Sequence, residues 1–291
     1  RIHRAEIRVG ELRGGNPTFL QTLMKSALVT GATDGIGRET ARQLLKLGLH
    51  VLVHGRSESK ATAAAFALNA VSGSANVTPV WADFSRMREV VNMAEQVNAL
   101  IPQLDILINN AGVYEKERRM SEDGFEMTMA VNHFASFLLT RRVLPAIESA
   151  PRGRIVTVSS MTHQGANLDP KDLELSHDWS AYGAYGTSKL ANLLFTYSLA
   201  ERMRSGETTA NALDPGVVAT KLLHAGFSKG GGSVQNGAAT SVHLATSPNV
   251  EGLSGRYFVS CREKKPTRAA RDGKLADAFW IASERALEKF L

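Results

Sequence analysis

The stretch SAYGAYGTSKLANLLF, Ser180–Phe195, places two tyrosines shortly before one lysine in a helical pattern. Residues four apart are neighbours on one helix face, whereas residues seven apart share the face but lie about two turns, ~10 Å, away. Tyr185 stands four positions before Lys189 and Tyr182 seven, so only Tyr185 can feel the lysine charge at short range. A free phenol, with a pKa of about 10, is too weak an acid to serve as an efficient base at neutral pH. Lowering that value by ~3 units requires about 4 kcal/mol in favour of the phenolate. One positive charge ~4 Å away provides this at an effective dielectric of ~20. The pair predicts proton transfer at the Tyr185 hydroxyl, promoted by Lys189.

A second pattern suits phosphate. TGATDGIG, Thr30–Gly37, leaves an apolar run and opens a helical one. Gly31 permits a tight turn, Gly35 lets a pyrophosphate approach the backbone, and Gly37 lets helix and strand pack closely, with Asp34 and Ile36 between them. The helix N-terminus adds oriented N–H donors and a partial positive charge. Turns need glycine anyway, and it is the placement at the first strand–helix junction that raises this one above an ordinary turn. The second strand ends in VHGRS, with Gly55 where an NAD-binding sheet carries an acid for the ribose hydroxyls and Arg56 beside it. An uncharged site next to a guanidinium suits a 2′-phosphate, so NADP(H) is the expected cofactor and NAD(H) the weaker candidate. Read blandly, Arg56 is a solvated loop residue, and the Asp34 carboxylate would repel phosphate. Asp83, in WADF at the end of the third strand, is placed to accept from an adenine amino group. NNAG ends the fourth strand and brings Asn110, Ala111 and Gly112 alongside the cofactor.

These residues need a scaffold, and the rest of the pattern supplies one. Strand-like runs SALVT, HVLVH, VTPVWA, LDILIN, GRIVTVSS, TTANAL and GRYFV alternate with helical stretches. Those stretches run from Gly35 to Leu47, Ser57 to Val71, Ser85 to Leu100, around Ser121 to Ser149, through Tyr185, and from Lys274 to Phe290. Near-continuous apolar strands separated by helices predict an α/β fold, a single doubly wound domain with a parallel sheet of about seven strands and helices on both faces. That domain spans residues 24–291, with residues 1–23 an N-terminal extension of unknown role.

Composition excludes other classes. The 291 residues are 43% hydrophobic and 21% charged, ordinary for a globular chain. The net charge of +6 sits at the two ends, +3 from residues 1–25 and +3 from residues 262–291, leaving the stretch between neutral. A nucleic-acid reader concentrates its excess on one stripe and adds stacking aromatics; neither is present, so no nucleic-acid partner is expected. The lone cysteine, Cys261, forms no internal disulfide and fits a reducing compartment, the cytoplasm first. Peripheral membrane association or an organelle stays open. No apolar run reaches the ~18 residues of a membrane-spanning helix, and Arg1 to Arg13 does not resemble a secretory signal.

TGATDGIG, NNAG, VSS, YGTSK and DPGVVAT occur in this order, each at a strand end or a helix start. Together they resemble a short-chain dehydrogenase/reductase of the extended-loop, retinol-dehydrogenase-like branch, from about Lys25 to the C-terminus. The resemblance implies a Rossmann domain and an oxidoreductase that passes hydride between nicotinamide and a C–O carbon without metal. It puts the reacting set on Asn132, Ser160, Tyr185 and Lys189. It agrees with the helix argument on Tyr185, picks the second serine of VSS, and leaves Tyr182 as a packing or pocket residue. In that reading Ser160 hydrogen-bonds the substrate oxygen, Lys189 also holds the nicotinamide ribose, and Asn132 fixes a water. The turn with Pro215, Gly216, Val218 and Thr220 contacts the nicotinamide carboxamide. Family members often carry another residue where Asp214 stands, and its carboxylate is expected only to cap a turn.

The 24 residues between Ser160 and Tyr185, with Met161, Leu168 and Trp179, are expected to wall the pocket. His163 and Asp169 there read as loop residues, since no metal-ligand spacing is present. Leu222, Leu223 and Phe227 read equally as an apolar lid or as the packing of a short helix. The expected partner is a small hydrophobic alcohol or carbonyl, and by analogy a homodimer or homotetramer pairs through the helices of Asn132 and Tyr185. The rival from another class is a catalytically silent nucleotide-sensing protein, which commonly lacks the tyrosine or lysine present here.

Overall fold

The computed structural model describes residues 24–73, 75–203, 206–226 and 230–291. The expected N-terminal extension, residues 1–23, and Phe227 of the expected lid lie outside them. The apolar runs become β1 (Ser26–Val29), β2 (His50–Gly55), β3 (Val77–Trp81), β4 (Ile106–Asn109), β5 (Arg154–Val158), β6 (Thr209–Asp214) and β7 (Arg256–Val259), all parallel. β8 (Arg262–Lys264) adds an antiparallel eighth strand, one more than the sequence predicts. Its three residues are all exposed and carry no apolar signal. Ser260 and Cys261, with φ of 49° and 61°, make the reversal that folds it back on β7.

The order β3-β2-β1-β4-β5-β6-β7-β8 reverses direction between β1 and β4. Crossovers leave that boundary on opposite sides, which opens a crevice at the carboxyl edge of the sheet. The helices are α1 (Gly35–Lys46), α2 (Glu58–Ser72), α3 (Met87–Leu100), α4 (Ala135–Glu148), α5 (Ala181–Arg202), α6 (Lys221–Gly226), α7 (Val234–Thr246) and α8 (Gly273–Ala286). The expected helix over Ser121–Ser149 is broken. Met120 and Glu126 bridge, Met127–Met129 makes one turn, and a π-helical stretch, Ala130–Phe134, leads into α4. The Glu126 carboxylate causes part of this break: its Oε2 accepts the Met129 N–H at 2.8 Å, starting the helix there.

Alternation along each strand splits the core in two. Leu28, Leu52 and Leu107 face α3, α4 and α5, while Val29, Val51 and Val53 face α1 and α2. Each such buried side chain is worth about 1.5–3 kcal/mol of transfer free energy, so a strand that slipped register by one residue would forfeit several of them.

The first of these clusters is completed by α8. Trp280 lies 4.8 Å from Phe137 of α4 and 5.9 Å from Phe195 of α5 between ring centres. Arg202 pairs with Asp277 at 2.7 Å, and Arg141 with Glu284. The helix that follows Asn132 and the helix bearing Tyr185 are thus covered by the chain's own α8. The faces of those helices that meet α8 are buried within the chain itself. His133 sits within this cluster, fully buried, 4.6 Å from the Phe279 ring.

Candidate active site

The glycine turn is held from behind. Asn110 donates its Nδ2 hydrogens to the Thr30 carbonyl at 2.8 Å and the Gly31 carbonyl at 3.3 Å. The Thr30 hydroxyl accepts the N–H groups of Asn110 and Ala111 at 2.9 and 3.0 Å. These contacts fasten the turn to the end of β4. Gly31 adopts φ of 64°, where a side chain is strained, and a Cβ on Gly37 would lie 2.3 Å from the Gly31 carbonyl oxygen. The surface beside the α1 N-terminus is therefore bare backbone, the condition a pyrophosphate needs.

Asp34 is held by two local contacts. It caps α1, accepting the Gly35 N–H at 2.8 Å, and its other oxygen meets Lys221 Nζ at 2.7 Å. The hydrogen bond from Lys221 holds its carboxyl below the usual range. Lys221 is thus a cation beside the α1 N-terminus that the sequence reading missed.

At the tip of β2, a Cβ on Gly55 would lie 2.8 Å from Thr33 Cγ2 and 2.9 Å from the Ala61 nitrogen. No acid can stand there. Arg56 is exposed just beyond, and Asp83 uses Oδ1 to accept from the Ser85 N–H and hydroxyl at 3.0 and 2.7 Å. His54, also missed, links these parts. Its Nδ1 accepts the Gly31 N–H at 3.0 Å, so Nε2 carries the proton and donates to the Ala82 carbonyl at 3.0 Å. Its ring stacks on Phe84 at 4.2 Å. One neutral imidazole thereby links the glycine turn to the end of β3. A histidine alternating with valines in a buried strand was the available signal.

Burial pulls His54 down to about 4 and His133 to about 3, against 6.5 when exposed. The unfolded chain therefore binds protons that the folded chain refuses, and stability falls as pH drops from about 6.5 toward those values. Each histidine should cost about 2 kcal/mol at pH 5 relative to pH 7, read as a lowered denaturation midpoint. His133→Leu should flatten that pH dependence.

The crevice itself is a cavity of about 910 Å³. Gly31, Asp34, Gly35 and Ile36 line one end, and Asn110, Gly112, Ser160, Tyr185 and Lys189 the other. Pro215, Gly216, Val218 and Thr220 form the facing wall. Gly37, Arg56, Asp83, Ala111 and Asn132 stand outside the lining. Tyr182, 54% exposed, stands at the mouth with Met161, Val217, Leu222 and Leu223. Of the expected insert wall, Leu168 is buried in the core instead, and Trp179 anchors the segment by donating to Glu126 at 3.2 Å.

Tyr185 and Lys189 share the buried face of α5, with Nζ 5.4 Å from the phenol ring centre. The Ser160 hydroxyl hydrogen-bonds the Tyr185 phenol. Ser159 instead donates its hydroxyl to the Lys189 carbonyl at 2.7 Å. Asn132 lies in the π-helical stretch, its Oδ1 accepting the Val113 N–H at 2.7 Å and its Nδ2 donating to Val113 O and Ser188 Oγ, both at 3.0 Å. A Cβ on Gly112 would sit 3.3 Å from Asn132 Oδ1 and 3.6 Å from Lys189 Nζ, so the three meet at one point.

The expected lowering of the phenol is not found. Burial pushes Tyr185 above its ordinary range, the charge of Asp214 adds to this, and only the Ser160 hydrogen bond opposes it. Lys189 Nζ lies 5.4 Å from the ring centre and donates to the Val158 carbonyl at 3.2 Å. Burial also pulls the ammonium from 10.5 down to about 8, with Asp214 resisting. The phenol is thus a firmly protonated acid beside a lysine still mostly charged at neutral pH. Among the described residues no group of three or more His, Cys, Asp or Glu could hold a metal, and no helix is long and apolar enough to cross a membrane.

The sequence pattern of the short chain dehydrogenase family matches residues 25–229. Human retinol dehydrogenase 14 is 36% identical over 94% of this chain and 88% of its own length. Mouse polyprenol dehydrogenase is 40% identical over 89% of this chain and 82% of its own. A solved structure of an uncharacterized Mycobacterium paratuberculosis protein superposes with a TM-score of 0.76 at 30% identity, covering 91% of this chain and 93% of that one. An Escherichia coli short chain dehydrogenase solved with NADPH gives 0.68 at 25% identity over 83% and 99%.

Proposed function

The chain belongs to the short chain dehydrogenase family, and on that premise we propose that it is an NADP-dependent oxidoreductase acting on a hydrophobic alcohol, ketone or aldehyde. The observation that carries the reading is the convergence, in one crevice, of the bare glycine turn with Tyr185, Ser160 and Lys189. Bound nicotinamide would supply or accept the hydride. Gly31, Gly35 and the α1 N-terminus would hold its pyrophosphate, and the bare approach at Gly31 and Gly37 fits that group. Lys189 would bind the ribose, and Pro215, Gly216, Val218 and Thr220 would face the carboxamide. In carbonyl reduction Tyr185 donates its proton to the substrate oxygen while Ser160 hydrogen-bonds the same atom. A phenol raised by burial holds that proton at neutral pH, the form a proton donor needs. Asn132 clamps Val113 to α5, so any water it steadies is held through its main chain.

The relatives named for retinol and polyprenol support a long apolar substrate. The mouth residues Met161, Val217, Leu222 and Leu223 suit such a chain. The test is NADPH consumption with a panel of hydrophobic aldehydes and ketones, retinal and a polyprenal included. Binding of NADPH with no carbonyl-dependent consumption would instead support a nucleotide-sensing protein.

Cofactor choice rests on the tip of β2. With no room for an acid at Gly55 and Arg56 exposed beside it, NADPH should bind more tightly than NADH. Arg56→Ser should weaken NADPH about tenfold or more and leave NADH unchanged, measured by titration of cofactor fluorescence. Equal losses for both cofactors would remove Arg56 from the 2′-phosphate.

A further inference from the structure

Ser160 caps a single turn, Met161–His163, that leads from β5 into the long insert. The turn is held on two sides. A Cβ on Gly186 of α5, next to Tyr185, would lie 2.9 Å from the Thr162 carbonyl oxygen, so helix and turn approach with no room for a side chain between them. On the other side the His163 ring is fully buried and stands edge-on to the Tyr257 ring of β7, 5.4 Å away between centres. Its Nδ1 lies 2.6 Å from the Ser160 carbonyl oxygen. A carbonyl only accepts, so Nδ1 carries the proton, and Nε2 keeps a buried lone pair with no partner among the described residues.

Stability does not account for this ring. The Ser160 carbonyl already receives the His163 main-chain N–H at 3.2 Å, and an unpaired buried nitrogen works against folding. What the ring adds is direction. Two donors from one residue fix the peptide plane that follows Ser160. The next peptide donates its Thr162 N–H to the Ser160 hydroxyl oxygen at 3.2 Å, which leaves the hydroxyl hydrogen free to point into the crevice. We propose that His163 is a positioning residue for the reaction read above: its Nδ1–H holds the Ser160 main chain so that the hydroxyl meets Tyr185 and the substrate oxygen in one place. The residue is more than the loop histidine that its spacing suggested.

His163→Leu removes the donor and fills the space with apolar carbon, whereas His163→Asn puts an amide N–H near the place of Nδ1. The leucine variant should lose about 10–100-fold in kcat for carbonyl reduction, up to the cost of a misplacement of ~1 Å, with NADPH affinity changed by less than about threefold. Its thermal midpoint should stay within about 4 °C of native. The asparagine variant should recover most of the lost turnover, which a packing role alone does not predict. Amide hydrogen exchange over Ser160–Gln164, followed by mass spectrometry, should speed up about tenfold or more with leucine and return toward native with asparagine. Turnover of the leucine variant within about threefold of native, or a loss that asparagine does not repair, would overturn the proposal. The inference rests on the proposed reaction only for its kinetic arm. If the native protein reduces no carbonyl and the exchange pattern holds, that reaction is retired and the brace is kept; if the exchange is also unchanged, both fall.

Discussion

Tyr185→Phe should lower kcat for carbonyl reduction by about 10²–10⁴-fold while NADPH affinity changes by less than about threefold. The substitution deletes one oxygen and leaves the ring, which packs 5.6 Å from Tyr114 and lies under Lys189. The walls that would hold the cofactor belong to other segments, the glycine turn and the Pro215–Thr220 stretch. Only the acid is lost. In its place a substrate oxygen would have Ser160, whose hydroxyl accepts the Thr162 N–H. His163 uses Nδ1 on the Ser160 carbonyl, not on the hydroxyl. Stopped-flow NADPH oxidation against a cofactor titration separates the two quantities. A variant that keeps a tenth of native turnover would mean that the proton comes from elsewhere. A parallel loss of cofactor affinity would mean that Tyr185 is a binding residue.

Gly37→Ala should be the most damaging single-methyl change in the glycine turn beside the crevice. Alanine gains at most about 1 kcal/mol over glycine from helix propensity, the interior value, and Gly37 stands in the first turn of α1. Here the new carbon would meet the Gly31 carbonyl oxygen at 2.3 Å and Asn110 Nδ2 at 2.4 Å. Neither neighbour is free to retreat, because Asn110 is bonded to Thr30 and Gly31 and the turn is bonded to His54. Overpacking of this kind costs about 1–3 kcal/mol or more and wins over propensity. Thermal denaturation should show that loss, and NADPH should rescue the variant less than it rescues the native protein, since the displaced turn is its cradle. Gly206→Ala, with open space around the added carbon, is the control and should stay within about 0.5 kcal/mol. If Gly37→Ala matches that control, the turn is softer than its hydrogen bonds imply.

Seven strands were legible because parallel strands buried on both faces leave unbroken apolar runs, and the glycine turn because its spacing is dictated by backbone geometry. The choice of Tyr185 over Tyr182 needed only the helical repeat, and the two now differ as 7% and 54% exposed. β8 was invisible, since its three residues, Arg262, Glu263 and Lys264, are all exposed and carry no apolar run. α7 escaped because its small residues, Gly237 among them, are there for close approach to Val218 and Ile36 and make no apolar stripe. The orientation of Lys189 depends on which atoms surround it in three dimensions, and no spacing rule reports that. His54 illustrates the same limit: its neighbours Gly31 and Ala82 lie 23 and 28 positions away.

The contact between His133 and Ser283 spans 150 positions of chain. A ribosome delivers α4 and α5 long before α8, so a nascent chain carries Phe137 and Phe195 uncovered for much of its synthesis. Maturation of the half that bears Lys189 is therefore a late event, and in that interval the bare aromatic face is a natural target for a holding chaperone.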